Sequence, residues 1–243
     1  MASMHRPSAP RIRTLVWRFL AALAVLLACE SASGLVPRKH GSSDPAKHGN
    51  ADAAPSMAAR LSADARVLAD WVVAANDSRG RPFLIVDKRQ ATVSAFDAAG
   101  RPLASAPALL GLARGDDSVP GIGERRIADI QPHERTTPAG RFAAELGTNT
   151  GGEDILWVDY DAAVSMHRVR TVKASDRRRE RLASATPDDN RISYGCINVP
   201  AAFFDGFVKP LFSPRDGIVY VLPDTKRPAE VFGAAFARRA TQR

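Results

Sequence analysis

From Phe83 to Leu222 the apolar residues come mostly in short runs cut by Gly, Pro and Asp. That spacing reads as a mostly β domain with short helices. Phe83-Leu-Ile-Val-Asp87 reads as a compact strand, residues 91–96 alternate, and 97–100 form a turn. A third strand is expected over 101–110, followed by a Gly- and Pro-rich loop over 111–123. Further strands are expected at 141–146, 155–160, 163–168, 191–197 and 217–222, with a short helix at 201–209. Spacing alone does not separate a sandwich from a barrel.

The flanking segments differ in kind. Leu61, Ala65, Leu68, Val72 and Ala75 share one helical face, so 58–80 reads as an N-terminal helix ended by Asn76 and Gly80. Residues 34–57 are polar and small, a flexible linker; His40 and His48 lie there as solvated side chains. Residues 225–243 read as an amphipathic basic tail, and the β-rich domain as 82–224.

Residues 1–33 carry Arg6, Arg11, Arg13 and Arg18 ahead of an apolar core over 19–28, and then Ser31, Ala32 and Ser33. Positive start, short apolar core and small-residue exit make an export signal. Arg18 breaks the apolar stretch, which falls short of the roughly 20 residues of a spanning helix. Leu26-Leu-Ala-Cys29 also resembles a lipobox, so lipidation at Cys29, cleavage near Ser33 and a retained anchor are three competing fates. Each puts the protein in the periplasm or cell envelope.

Composition narrows the function classes. Apolar residues make up 45% and charged residues 25% of the 243, which excludes wholesale disorder, and with only one long apolar stretch a polytopic membrane protein is excluded too. The two cysteines exclude a disulfide-stapled scaffold. The full sequence carries a formal charge of +8, and without residues 1–33, which hold four Arg and Glu30, it keeps +5, a basic balance that suits an anionic envelope surface. No basic patch is interleaved with aromatic residues, so nucleic acid is not an expected partner.

Once the leader is gone, Cys196 is the remaining thiol. It sits in Ser193-Tyr-Gly-Cys-Ile-Asn198, directly after a glycine that permits a sharp turn. Such a turn can aim backbone N–H groups at a developing oxyanion. A thiol also needs an activating base, and a Cys–His pair is the common solution. The β-rich domain offers His133, in a loop before a Pro turn, and His167, at a strand end in Ser165-Met-His167-Arg168. The more rigid platform favours His167. Thr136-Thr-Pro-Ala-Gly-Arg-Phe142 is a third notable segment, a Pro/Gly turn entering a strand. Taken singly, a buried structural thiol and a hydrogen-bonded strand histidine remain open readings.

Together these segments resemble the L,D-transpeptidase catalytic domain (YkuD family) of bacterial cell-wall enzymes. The resemblance covers residues 82–224 in order: the opening strand at Phe83, Thr137-Pro-Ala-Gly-Arg-Phe142, His167, the cysteine motif, and Gly217-Ile-Val-Tyr-Val221. It implies an L,D-transpeptidase-like β-sandwich or mixed-sheet domain preceded by a helix and an export leader. It implies Cys196 as nucleophile, His167 as base, the Arg168 backbone carbonyl as orienter of the imidazole, and the Gly195 and Cys196 N–H groups as oxyanion hole. Ser193, Tyr194 and Asn198 would support the turn. The implied partners are peptidoglycan stem peptides, with an amine on another stem or on an envelope protein as acceptor; no metal or organic cofactor is implied. A stem hydrolase on the same fold and a non-catalytic envelope-binding module are the alternative readings.

The sequence departs from the family in two places. Tyr194 stands where the family has a second His, and a phenol with a pKa near ~10 is no substitute base. The spacer between His167 and Cys196 is also longer than usual. Its excess is a polar insertion over 169–190 carrying Arg177, Arg178, Arg179 and Arg181. That insertion reads as a solvated loop, with a lid or partner contact as the competing reading.

Overall fold

The computed structural model describes residues 61–171 and 173–241. The leader, the linker and the first residues of the expected N-terminal helix lie outside that range.

Helix α1 (Ala63–Ala74) starts where Ser62 caps it, its Oγ accepting from the Ala65 N–H at 3.1 Å, with Asp64 in the first turn. An uncapped amide is thereby satisfied and the helix dipole is met by an acid. The helix stops before Asn76, which is left-handed at φ 49.

The strands then follow in chain order: β1 (Phe83–Asp87), β2 (Thr92–Phe96), β3 (Pro102–Pro107), β4 (Leu110–Gly111), β5 (Gly140–Thr148), β6 (Asp154–Asp159) and β7 (Val164–Arg168). After them come α2 (Arg178–Ala183), β8 (Arg191–Ser193), β9 (Ile197–Val199), α3 (Ala201–Phe203), α4 (Lys209–Phe212), β10 (Gly217–Leu222) and α5 (Pro228–Ala240). The helical run from α3 to α4 widens to π-type pairing over Phe204–Val208.

Eight strands form one mixed sheet in the order β3-β2-β1-β10-β5-β6-β7-β9, and β4 pairs with β8 in a small parallel ribbon. The fold is mostly β with short helices and a helix ahead of the sheet. The β1–β10 and β7–β9 pairs are parallel and the rest of the large sheet is antiparallel. Strand β5 joins the two halves. Its first residues pair with β10 and its last, from Glu145 to Thr148, with β6.

Both faces of β1 and β10 are covered, which explains their unbroken apolar runs. One face, with Phe83, Ile85, Ile218 and Tyr220, packs on α1 and α5. Trp71 of α1 meets Phe236 of α5 edge-on at 5.9 Å between ring centres. The other face, with Leu84, Val86, Val219 and Val221, shares a core with Leu156, Met166, Ile197, Val199 and Phe204. The segment read from sequence as a basic tail is thus a helix, and its Phe236 is buried.

The strand expectations change at three points, each for a local reason. Ala91 leaves β2 because it sits at φ 51 in the tight turn after β1. The expected strand 101–110 stops at Pro107: β3 is a sheet edge, where proline is tolerated, and beyond it β4 pairs elsewhere. The expected strand 191–197 is cut into β8 and β9, in different sheets, by the turn at Gly195, whose φ is 127.

Candidate active site

The cut between β8 and β9 builds the site. Gly195 adopts a backbone conformation that side chains rarely allow, and a Cβ there would lie 2.8 Å from the Thr136 carbonyl oxygen. Cys196 follows it and is set beside β7 by the parallel β7–β9 pairing, in which His167 faces Asn198. The Cys196 sulfur lies 3.7 Å from Ser165 Oγ and 3.8 Å from the Ala163 carbonyl oxygen.

His167 is oriented from behind. Its Nδ1 lies 2.8 Å from the Arg168 carbonyl oxygen, an atom that can only accept, so Nδ1 carries the proton and Nε2 is left for the thiol. Arg168 is anchored in turn. Its guanidinium pairs with Asp205, lies 4.5 Å over the Phe204 ring, and donates to the Asp154 carbonyl at 3.2 Å.

Charge couples the thiol and the imidazole. Burial pushes the Cys196 thiol up, but the hydrogen bond and charge of His167, with the N–H and hydroxyl of Ser165, outweigh it and hold the thiol below its ordinary pKa. Burial pulls His167 down, but the hydrogen bond and charge of Cys196, with the Arg168 carbonyl, raise it above the ordinary imidazole value. Both shifts favour a thiolate beside an imidazolium.

The nucleophile turn is pinned from several sides. Ser193 Oγ donates to the Cys196 carbonyl at 2.6 Å and accepts from the Gly195 N–H at 3.1 Å. Asn198 Nδ2 donates to the same Cys196 carbonyl at 3.1 Å. Of the two N–H groups expected to serve as oxyanion donors, that of Gly195 is therefore held inside the turn by a nearby hydroxyl. The Cys196 N–H meets no acceptor among the described residues.

Tyr194 is half-exposed at the rim, with the Arg135 guanidinium 4.0 Å over its ring. His133 is exposed in a short helical turn and does not line the cleft at Cys196.

Sequence reasoning assigned no role to Thr137, which is fully buried. Its hydroxyl donates to the Gly195 carbonyl at 2.8 Å and accepts from the Gly111 N–H at 2.9 Å. The Thr-Pro segment was noticed, but nothing local marks a contact across 58 residues. Behind Thr137, the fully buried Lys88 ammonium donates to its carbonyl at 2.8 Å, to Asp116 at 2.9 Å and to the Gly115 carbonyl at 2.5 Å.

The insertion is not a free loop. It folds into a short helical turn at Ala174–Asp176, then α2, then a turn at Pro187–Asn190. Leu182 is buried, and Arg178 Nη1 donates to Asn198 Oδ1 at 3.0 Å. Asn198 thus bridges the insertion to the nucleophile turn. The cleft above Cys196 and His167, of about 450 Å³, takes part of its lining from Arg170, Lys173, Asp176 and Arg178 of the insertion. The solvated-loop reading gives way to a wall of the site, because one guanidinium in the charge run turns inward.

Comparison with known proteins gives the following. No protein-family model matches the chain. No curated protein matches it either. Among solved structures, the chain is similar to the LD transpeptidase LdtMt1 in complex with imipenem, at 16% identity and a TM-score of 0.33, covering 58% of each chain. It is also similar to the helical cell shape determining protein Pgp2 from Campylobacter jejuni, at 13% identity and a TM-score of 0.40, covering 72% of this chain and 60% of that one. The K307A mutant of Pgp2 matches at 11% identity and the same TM-score, covering 77% and 62%. The match thus spans about three fifths of the length of these solved chains.

Proposed function

We propose that this chain is a cysteine acyltransferase, an L,D-transpeptidase acting on peptidoglycan stem peptides. The observation that carries this reading is the Cys196–His167 pair, in which the imidazole is locked by the Arg168 carbonyl and each group shifts the other toward its charged form.

The Cys196 thiolate attacks the carbonyl that joins the L-centre of the stem's third residue to a terminal D-amino acid. The Cys196 N–H donates to the oxygen as it gains charge. The imidazolium of His167 gives its proton to the leaving nitrogen, the C–N bond breaks, and a thioester remains on Cys196. An amine from a second stem, or from an envelope protein, then attacks the thioester. His167 takes that amine's proton, and the thiolate leaves. The chemistry is complete with thiolate, imidazole and oxyanion donor. The export-type leader supports a site of action in the periplasm or envelope, where such stems are found.

The test incubates the purified full chain with a tetrapeptide stem and an amine acceptor and follows the products by mass spectrometry. The expected result is loss of the terminal D-amino acid, a thioester adduct on Cys196 and a new amide. Loss of the D-amino acid with no amide product would make water the acceptor and the protein a stem hydrolase. A protein that never carries the adduct and releases nothing would end the enzyme reading.

Tyr194 takes a minor role in this scheme. Tyr194→Phe removes one hydroxyl, worth about 0.5–1.5 kcal/mol if hydrogen-bonded to substrate, and keeps the ring beneath Arg135. Turnover is expected to fall by about tenfold at most. A loss as large as that from removing His167 would show that the phenol does chemistry.

A further inference from the structure

We propose that Arg170 and Lys173, from the insertion between β7 and the cysteine motif, bind the free carboxylate of the acyl donor's terminal residue. The proposal rests on the acyl-transfer reading above and gives it a specificity determinant.

The argument begins with the charge of the cleft. Among the described residues lining it, Arg135, Arg170, Lys173 and Arg178 are cationic and Asp176 alone is acidic. Asp176 is already met by Arg178, whose Nε lies 3.1 Å from its carboxylate and whose Nη1 is held by Asn198. Arg135 is committed to the Tyr194 ring and to the Ile130 carbonyl at 3.0 Å. Two cations remain. Arg170 pairs with Glu153 at 3.0 Å, but both side chains are half-exposed, and such a pair is weak and readily exchanged. The Lys173 ammonium has no ion-pair or hydrogen-bond partner among the described residues, its backbone carbonyl alone accepting from Asp176 N–H at 3.1 Å. A concave wall with uncompensated positive charge concentrates anions.

The position of these cations fits the leaving group. A terminal residue carries a carboxylate only a few bonds from the scissile carbonyl, so a group that binds it must stand close to the catalytic pair. Arg170 and Lys173 line the same cleft as His167 and Cys196, and the charge of Arg170 opposes the imidazolium. A carboxylate seated on Arg170 and Lys173 offsets that opposition while fixing the scissile bond over Cys196. Chains of this kind without such an insertion would lack the contact, which makes it a property of this sequence and not of the motif.

Binding separates this proposal from the fate of the acyl group. In full chain carrying Cys196→Ala, calorimetry compares a tetrapeptide stem bearing its free terminal carboxylate with the same peptide amidated at that end. The acid is expected to bind about 10–100-fold more tightly, the range of a charge-assisted contact. The preference should weaken with added salt. In Arg170→Glu/Lys173→Glu on the same background it should vanish, with binding of the amide changed by less than about twofold. Both residues are solvent-facing, so folding is not at stake, and circular dichroism confirms it. Equal binding of acid and amide, no binding of either, or a preference that survives the double reversal each overturns the proposal. A preference that is present in a protein showing no acyl-enzyme would retain the carboxylate site and remove the transferase reading.

Discussion

Cys196→Ala is expected to abolish acyl-enzyme formation in a folded protein, and His167→Ala to slow it on the order of 10²–10⁴-fold. The alanine at 196 removes only a sulfur that is half-buried and contacts Ser165 and Ala163 loosely, so the turn should keep its shape. Loss of His167 removes the group that holds the thiol below its ordinary pKa, leaving burial to push it up. The two effects should be readable in one experiment, a pH series of iodoacetamide labelling followed by intact mass. In the wild type, labelling persists below the ordinary thiol range and falls away as the pH drops through the lowered value of Cys196. In His167→Ala that acid limb moves to higher pH, because the thiolate has lost its cation. Turnover adds an alkaline limb. The imidazolium must protonate the leaving nitrogen, so activity declines as pH rises through the raised value of His167. The limbs belong to the coupled pair and not to either residue. An unchanged labelling profile in His167→Ala would move the activating role to another group.

The second large effect is on stability. Lys88→Met is expected to destabilise the protein by about 3–5 kcal/mol, the usual cost of stripping one partner from a buried ion pair. At roughly 2–4 °C per kcal/mol for a chain of this size, the melting temperature should drop clearly. Lys88 is fully buried, and its ammonium lies 2.9 Å from Asp116 and 3.7 Å from Asp224. Met fills the space but leaves both carboxylates without that cation. Acid titration gives the sign. Burial raises the Asp116 carboxyl, but the Lys88 ammonium, the Thr225 hydroxyl and the N–H groups of Lys226 and Asp224 outweigh it and hold it below the usual carboxylate range. A carboxylate depressed in this way stabilises above its unfolded pKa near ~3.9 and loses that contribution as pH falls through its folded value. The wild type should therefore lose stability as the pH drops below about 4, and Lys88→Met should lose less over the same interval. Because Lys88 also holds the Thr137 carbonyl, and the Thr137 hydroxyl holds Gly195, activity should fall before the fold does. A Met variant that melts with the wild type would show that the network carries no net stability.

What could be read in advance follows the range of the interactions. Short apolar runs announce strands because burial on a pleated surface is a local pattern, so β1, β6, β7 and β10 stood where spacing put them. Cys196 and His167 could be singled out as a pair because a thiol after glycine and an imidazole at a strand end come in the order of a known motif; singly, each has an ordinary structural reading. The break of 191–197 was only half legible: the glycine before Cys196 permits a sharp turn, but only the φ of 127 at Gly195 and the pairing of β8 and β9 in different sheets show that one strand ends there and another begins. Thr137 was invisible as a brace because a hydroxyl has no pattern of its own and its partner lies 58 residues away. The insertion was misread because a run of arginines is ordinarily solvated on every side, and the sequence does not say which single guanidinium turns inward.

That guanidinium sets a limit on how far the segment can be trimmed. Asn198 is 1% exposed, and its two amide atoms face opposite obligations: Nδ2 holds the Cys196 carbonyl and Oδ1 receives Arg178. Shortening 169–190 to a plain connector would strip the acceptor of its donor inside the protein, at about 1–3 kcal/mol for a buried polar atom left alone. The cheapest relief is rotation of the amide, and rotation leaves the carbonyl of the nucleophile to Ser193 alone. A truncation made at the surface would thus be felt as disorder at the sulfur, and the length of this insertion is a property of the reaction centre.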